Sequence, residues 1–543
     1  MPSMANLGAL SLLLSTALAA SAYGPVSAPC PATSLVRSAD EGVSSDEAAY
    51  IAARKPIAQA ALLSWLTKTN AAYSSSSSSD LPTIGLTVSG GGYRSMLTGA
   101  GVIKGMDSRD SNTSTSGLYQ ALSYQAGLSG GSWLLSSLAG NDWPTVSSLR
   151  DGLWSEMLEK TLFLADTADG GSIDVTGDLA AKAAAGFDVT LTDAWARLLS
   201  YQFLLGDDGG VDKTLSGLAD NSHFAARQVP FPIITALGVK TWEGACDPAA
   251  DATQYEFTPY EFGSWDSGVA AFTPTKYLGS SIVDGVASGN NNSCVTGFDN
   301  LGFVFGTSSS LFNAVCLPVN INQTQLGEHL AGFVSDLHEL ATDDLFALYP
   351  NPFRQSSSSE TVTTGQEKLH LVDGGLSNQN NPLWPLLHRG PDLIDVLIVN
   401  DNSADTDDNW PNGTEIRNTW TQAQAQLGEG KNRLPEIPTP DVFVAEGLNK
   451  RPVFFGCNAT TSEELLTVVW LPNNNFTYAS NVATLKLQYE PAETSDMIAN
   501  GQEVATQGGD ARWPACLACG IMVKSGESLP EECDACLAEY CYN

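Results

Sequence analysis

The chain has 543 residues, 43% of them hydrophobic, with 12 Trp, 15 Tyr and 19 Phe, which excludes a disordered polymer and allows a large core. Against 26 Lys and Arg stand 60 Asp and Glu, for a net charge of −34. That balance excludes a nucleic-acid binder, which needs clustered basic residues, and disfavours docking on anionic lipid by charge, while neutral and zwitterionic lipids stay open.

Leu7 to Ala22 is an uncharged run rich in Leu and Ala that closes on Ala20-Ser21-Ala22. An apolar stretch with a small-x-small cleavage site reads as an export signal over residues 1–22, although Met1 to Asn6 brings no Lys or Arg. Glu47 to Asn70 has helical spacing apart from Pro56, and Ser74 to Ser79 is a serine-only connector. Thr83 to Ser89 reads as a buried strand, with three glycines directly behind it. Tyr119 to Leu128 leads into a second Gly-rich turn, and Ser132 to Leu138 reads as the helix after it. Ser147 to Leu205 has helical patterning and is expected to cap the core. Ser356 to Ser359 marks a loop, and Val396 to Val399 is a strongly apolar strand. Strands followed by Gly turns and helices predict an α/β fold with a mainly parallel central sheet flanked by helices.

Six Asn-x-Ser/Thr sequons, at Asn112, Asn291, Asn322, Asn412, Asn458 and Asn475, fit an exported glycoprotein. No later apolar run reaches the ~18 residues of a membrane span. The C-terminus, with Glu531, Glu532 and Asp534, lacks the apolar tail of a glycolipid-anchor signal. The protein is therefore expected outside the cell, free or retained in the wall or periplasmic space. Of ten cysteines, five (Cys516, Cys519, Cys533, Cys536 and Cys541) crowd the tail, and the others are Cys30, Cys246, Cys294, Cys316 and Cys457. Two C-x-x-C pairs read as a zinc ribbon in a cytosolic protein, but behind an export signal they read as disulfides. Spacing leaves their pairing open.

Three motifs carry chemistry. Gly127-Leu128-Ser129-Gly130-Gly131 fits G-x-S-x-G, a sharp strand-to-helix turn that exposes a serine hydroxyl near a helix N-terminus; taken alone it is also an ordinary Gly-rich turn. Ser89-Gly90-Gly91-Gly92-Tyr93-Arg94 can converge backbone N–H groups on an anion, either an acyl oxyanion or a phosphate. Arg94 there is open between an ion pair and a substrate phosphate. Leu371-Val372-Asp373-Gly374-Gly375 sets a carboxylate at a strand end, where it could take a serine proton without histidine or simply make a turn.

G-G-G-x-R, G-x-S-x-G and D-G-G in this order resemble the patatin-like enzymes and the calcium-dependent cytosolic phospholipases. S-G-G-G-Y-R-S-M, G-L-S-G-G-S-W and L-V-D-G-G resemble, more closely, the secreted fungal lysophospholipases, or phospholipases B. The resemblance runs over nearly the whole mature chain, including Cys30-Pro31 and the cysteine-rich tail. It implies one catalytic domain over residues 23–543, with a cap-like insertion near 147–230 and the cysteine-rich segment at 510–543. It implies a Ser129–Asp373 dyad, an oxyanion hole from Gly91 and Gly92, and Arg94 near the lipid phosphate. The substrate would be a lysophospholipid at a micelle or membrane surface, with activity on diacyl lipids and transacylation as extensions. No cofactor, metal or protein partner is expected, nor calcium dependence, since the strand at Thr83 leaves no room upstream for a calcium-binding docking domain.

Two alternatives stand beside this reading. An α/β-hydrolase triad of Ser129, Asp373 and His388 is allowed by chain order, although His388 in Leu386-Leu387-His388-Arg389 reads more simply as a helix end. The other histidines are His223, His329, His338 and His370. A catalytically silent secreted glycoprotein explains the sequons, cysteines and acidity, but not three Gly-flanked motifs that keep a Ser, an Arg and an Asp. The excess of carboxylates also predicts a fold that tolerates mild acid.

Overall fold

A computed structural model describes residues 21–76, 81–160, 162, 175–288, 293–313, 344–356, 363–428, 431–457, 465–526 and 528–542. The export segment over residues 1–20, the loop at 357–359, the sequons Asn291, Asn322 and Asn458, and His329 and His338 lie outside the described residues.

The expected α/β architecture is present. Its strands include β1 (Ile84–Val88), β2 (Leu122–Leu128), β3 (Phe231–Gly238), β4 (Lys368–Asp373), β5 (Val396–Asp401) and β6 (Thr467–Pro472). The order β6-β5-β1-β2-β3 is parallel throughout. These strands are apolar and buried along nearly their whole length, as a sheet covered on both faces requires. The parallel part is this centre; antiparallel strands extend it to a 12-stranded sheet, with Gln254–Phe257 the next neighbour of β3.

The first long helix, Ser45–Thr69, is capped by the Ser44 hydroxyl and runs through Pro56 without ending. Helices α1 (Gly92–Met106) and α2 (Gly130–Gly140) start where the two Gly-rich turns end. Helix α3 (Leu191–Phe203) follows the shorter Thr176–Ala184 in the segment read as a cap. Helix α4 (Pro491–Thr506) crosses α1 at close range through facing glycines. A Cβ on Gly101 would sit 2.1 Å from the Ile498 carbonyl oxygen, and one on Gly501 would sit 2.0 Å from that of Thr98. Neither position accepts a side chain, so this crossing fixes the height of α1 and of the loop that opens it.

The tail cysteines are bridged to each other, Cys516 to Cys536 and Cys519 to Cys533, and Cys541 returns to Cys457. Cys30 pairs with Cys294, and Cys246 is also disulfide-bonded. The zinc-ribbon alternative is therefore set aside.

Candidate active site

Register brings the motifs together. Along one edge of β3, β2 pairs up to Leu128 opposite Thr235. The next residue of β3, Ala236, pairs with Asp373 at the end of antiparallel β4, while the other edge is held by Gln254–Phe257. The tips of β2 and β4 thus meet head to head. Ser129 steps off the first with φ 50° and ψ −120°, a strained backbone for a residue bearing a Cβ. Its Oγ donates to Asp373 Oδ2 at 2.8 Å across 244 residues of sequence. Asp373 Oδ1 accepts from the Gly375 N–H at 2.7 Å, and the Asp373 N–H donates to the Ser310 carbonyl at 3.0 Å. The Ser129 N–H donates to Ser308 Oγ, whose hydroxyl donates on to the Thr235 carbonyl of β3. Ser129 is 6% exposed and Asp373 4%, so the pair sits in a nearly dry setting. Burial pushes the Asp373 carboxyl up to about 7, against the opposing pull of the Gly375 N–H and the Ser129 hydroxyl.

The glycine loop lies alongside because β1 and β2 are parallel neighbours, with Val88 opposite Gly127. Gly91 is the N-cap of α1, with φ 136°, and Gly92 is its first residue, with φ 59°. Their N–H groups belong to the set that a helix start leaves unpaired. The loop and the serine turn touch: a Cβ on Gly130 would lie 2.0 Å from the Gly92 carbonyl oxygen. Arg94, 1% exposed, donates through Nε to the Asn402 carbonyl and through Nη1 to the Val482 carbonyl. Its guanidinium packs under Gly91, where a Cβ would meet Nη2 at 2.6 Å. Desolvation lowers its pKa to about 10, so it remains a cation at neutral pH.

Asn380 is a site residue that sequence reasoning passed over, although it stands only seven residues behind Asp373. Its carbonyl accepts from the Gly90 N–H and its Nδ2 donates to the Gly90 carbonyl, each at 3.0 Å. Its own N–H donates to Glu415 Oε2 at 2.7 Å. The Gly90 peptide is thus clamped on both sides. Ser308 and Ser310 were missed too, since nothing in their local sequence points toward a strand end.

Histidine is not part of the geometry described. Both Asp373 oxygens are occupied, by Ser129 and by Gly375. His388 stacks on Trp265 and sets its edge against Trp384. It does end a short helix, Trp384–Leu387, but burial and the neighbouring Arg389 push its pKa down to about 3, so it brings no charge to that helix terminus. His370 contacts Thr241, and His223 faces Asp142.

Residues 84–543 match the family model described as the lysophospholipase catalytic domain. The chain belongs to the lysophospholipase family. It is 36% identical to lysophospholipase 2 of Aspergillus fumigatus, over 96% of this chain and 93% of that protein. It is 38% identical to lysophospholipase 1 of Saccharomyces cerevisiae, over 96% and 83%. Its fold matches human GIVD cytosolic phospholipase A2 with a TM-score of 0.68 at 16% identity, covering 91% of this chain and 69% of that one. The family resemblance read from the three motifs is thereby established.

Two expectations follow for this lysophospholipase-family chain. Gly91→Ala places a methyl against the Arg94 guanidinium at a positive φ, so if Gly91 serves the oxyanion hole that the resemblance implies, kcat on an acyl ester falls by about a hundredfold, the usual cost of losing an oxyanion donor; full turnover in that variant overturns that role. The second concerns stability. Burial raises Asp266 to about 6, Asp373 and Asp405 to about 7, and Glu415 to about 8, each above its unfolded value. Such groups take up protons on folding, so their contribution is full below about 4 and is lost progressively as pH rises from there to the raised values of about 6 to 8. Tm in thermal unfolding scans should therefore be several degrees higher at pH 5 than at pH 8, and a maximum above pH 8 refutes this.

Proposed function

We propose that this protein is a secreted serine esterase that hydrolyses the fatty-acyl ester of lysophospholipids through an acyl-serine on Ser129. The observation that carries the reading is the 2.8 Å hydrogen bond from Ser129 Oγ to a buried Asp373 whose other oxygen is already committed. As Oγ attacks the ester carbonyl, its proton passes to Asp373. The carbonyl oxygen becomes an oxyanion facing the Gly91 and Gly92 N–H groups. Asp373 then returns the proton to the leaving glycerophospho alcohol. Water attacks the acyl-serine and gives one proton to Asp373, which passes it to Ser129 Oγ as the fatty acid leaves, restoring the hydroxyl and the carboxylate. A second lysolipid hydroxyl in place of that water would give transacylation at the same intermediate.

Arg94 places positive charge beneath the oxyanion loop. With Nε and Nη1 held by carbonyls, the substrate phosphate would be met through Nη2. Trp133 and Trp195 both donate to Ser309 Oγ beside the dyad, linking α2 to α3 of the cap and suggesting an apolar wall for the acyl chain. Export is supported by the sequence over residues 1–22, by the disulfides, and by exposed Asn112 and Asn475 with partly exposed Asn412. Among the described residues no helix is long and apolar enough to cross a membrane.

The dyad is tested against a triad by replacing each of the five histidines singly with Gln. Fatty-acid release from lysophosphatidylcholine stays within about twofold of wild type in all five, whereas removing a triad base costs at least about a hundredfold. A collapse in any one brings histidine back into the mechanism.

A further inference from the structure

The segment just past the export signal enters a buried charge network instead of lying on the surface. Tyr23 is 2% exposed, and its hydroxyl donates to Asp193 Oδ1 at 2.7 Å. Lys182 and Arg197 both stand over its ring, at 5.9 and 5.7 Å from the ring centre. Lys182 pairs with Asp193, and Arg197 Nε donates to Asp178 Oδ2 at 2.7 Å. Gly24 packs so tightly on the Thr176–Ala184 helix that a Cβ there would lie 2.9 Å from the Ala181 carbonyl oxygen. The remaining oxygen of Asp178, which is 3% exposed, accepts from the Ser21 hydroxyl, and the same hydroxyl accepts from the Tyr23 N–H at 3.2 Å.

Ser21 lies on the signal side of the cleavage pattern Ala20-Ser21-Ala22. Hydrolysis of the Ala22–Tyr23 bond adds one water, leaving a carboxylate on Ala22 and an α-amine on Tyr23 that is mostly protonated at neutral pH. The cut removes the Ser21 hydroxyl, so a buried carboxylate oxygen loses its donor, an arrangement that proteins seldom leave unrepaired. It also creates a cation one hydroxyl's width from that oxygen. The charge count points the same way: Arg197 serves both Asp178 and Asp208, and Lys182 serves Asp193, so two cations face three carboxylates.

We propose that Asp178 is a docking site for the protein's own mature N-terminus, pairing with the α-ammonium of Tyr23 that signal cleavage creates. This rests on the export reading above. It ties processing to the architecture of the site, because α3, which carries Asp193 and Arg197, also carries Thr192, whose hydroxyl meets that of Ser310 at 3.0 Å. Ser310 is the residue whose carbonyl holds the Asp373 N–H.

The test compares the secreted protein with a form carrying Gly-Ser inserted before Tyr23, and with Asp178→Asn. N-terminal sequencing of the wild type should begin at Tyr23. Labelling of the α-amine by 2-pyridinecarboxaldehyde should be about tenfold slower in wild type than in the extended form, because a docked amine reacts only when its segment opens. Asp178→Asn should label at the extended form's rate, and the extended form should melt at a lower temperature. A mature chain that starts elsewhere removes both the cleavage position and the docking. A chain that starts at Tyr23 but labels as fast as the extended form removes the docking alone. Fatty-acid release by the same preparation reports separately on the enzymatic reading.

Discussion

Ser129→Ala should abolish fatty-acid release from lysophosphatidylcholine, with kcat falling by about 10⁴-fold or more, the scale seen when a nucleophile acting as part of a unit is removed. The assay contains chelator throughout, so residual turnover cannot be credited to a metal. The variant should fold as wild type does, because what is lost is one hydroxyl donating one hydrogen bond, while the Ser129 N–H contact to Ser308 remains. Near-uv circular dichroism checks the fold, and a fluorophosphonate reagent that labels wild type but not the variant checks the nucleophile. Equal fatty-acid release by both proteins would place the nucleophile elsewhere.

The second large effect belongs to Asp373. Asp373→Asn keeps the shape and the Gly375 contact but cannot take a proton, and should cost about 10³-fold or more in kcat. On the proposed mechanism Asp373 must be ionised to accept the Ser129 proton. Since burial raises its pKa to about 7, kcat/KM should fall as pH drops through about 7 in the free enzyme. An acid limb near 4 would mean that Asp373 is solvated and would overturn the buried-base reading. Activity and stability should thus move in opposite directions: acid protonates Asp373 and slows turnover, while the same protonation, with that of Asp405 and Glu415, firms the fold. Tolerance of mild acid was expected from net charge alone; the structure supplies a more local cause in carboxyls that burial keeps from ionising.

Much of this site could be read from local sequence because turn chemistry is local. Glycines around Ser129 and a Gly run after an apolar strand are demands of single backbone positions, met within a few residues of the chain. The same locality placed the helix after Ser129 and the strand at Val396 within a few residues of their observed bounds. Asn380 escaped notice because its task is set by the Gly90 peptide, which the chain brings to it from 290 residues away. Ser308 and Ser310 escaped for the same reason. His388 was placed correctly at a helix end, but that burial keeps it uncharged there could not be read from sequence, since the two tryptophans that bury it are visible only in space. Disulfide pairing stayed open until folding showed Cys541 reaching back to Cys457.

By itself, then, the sequence determined the fold class and the three motifs with the residue type each must present, because these depend on hydrophobic patterning and on backbone freedom over short spans; the family followed from the resemblance those motifs carry. Tertiary structure decided which of those residues meet. One edge of β3 is shared by the ends of two strands running in opposite directions, and that register alone puts Ser129 against Asp373. It also decided what the pair can do, because a carboxyl reaches a pKa near 7 only where surrounding chain has displaced its water.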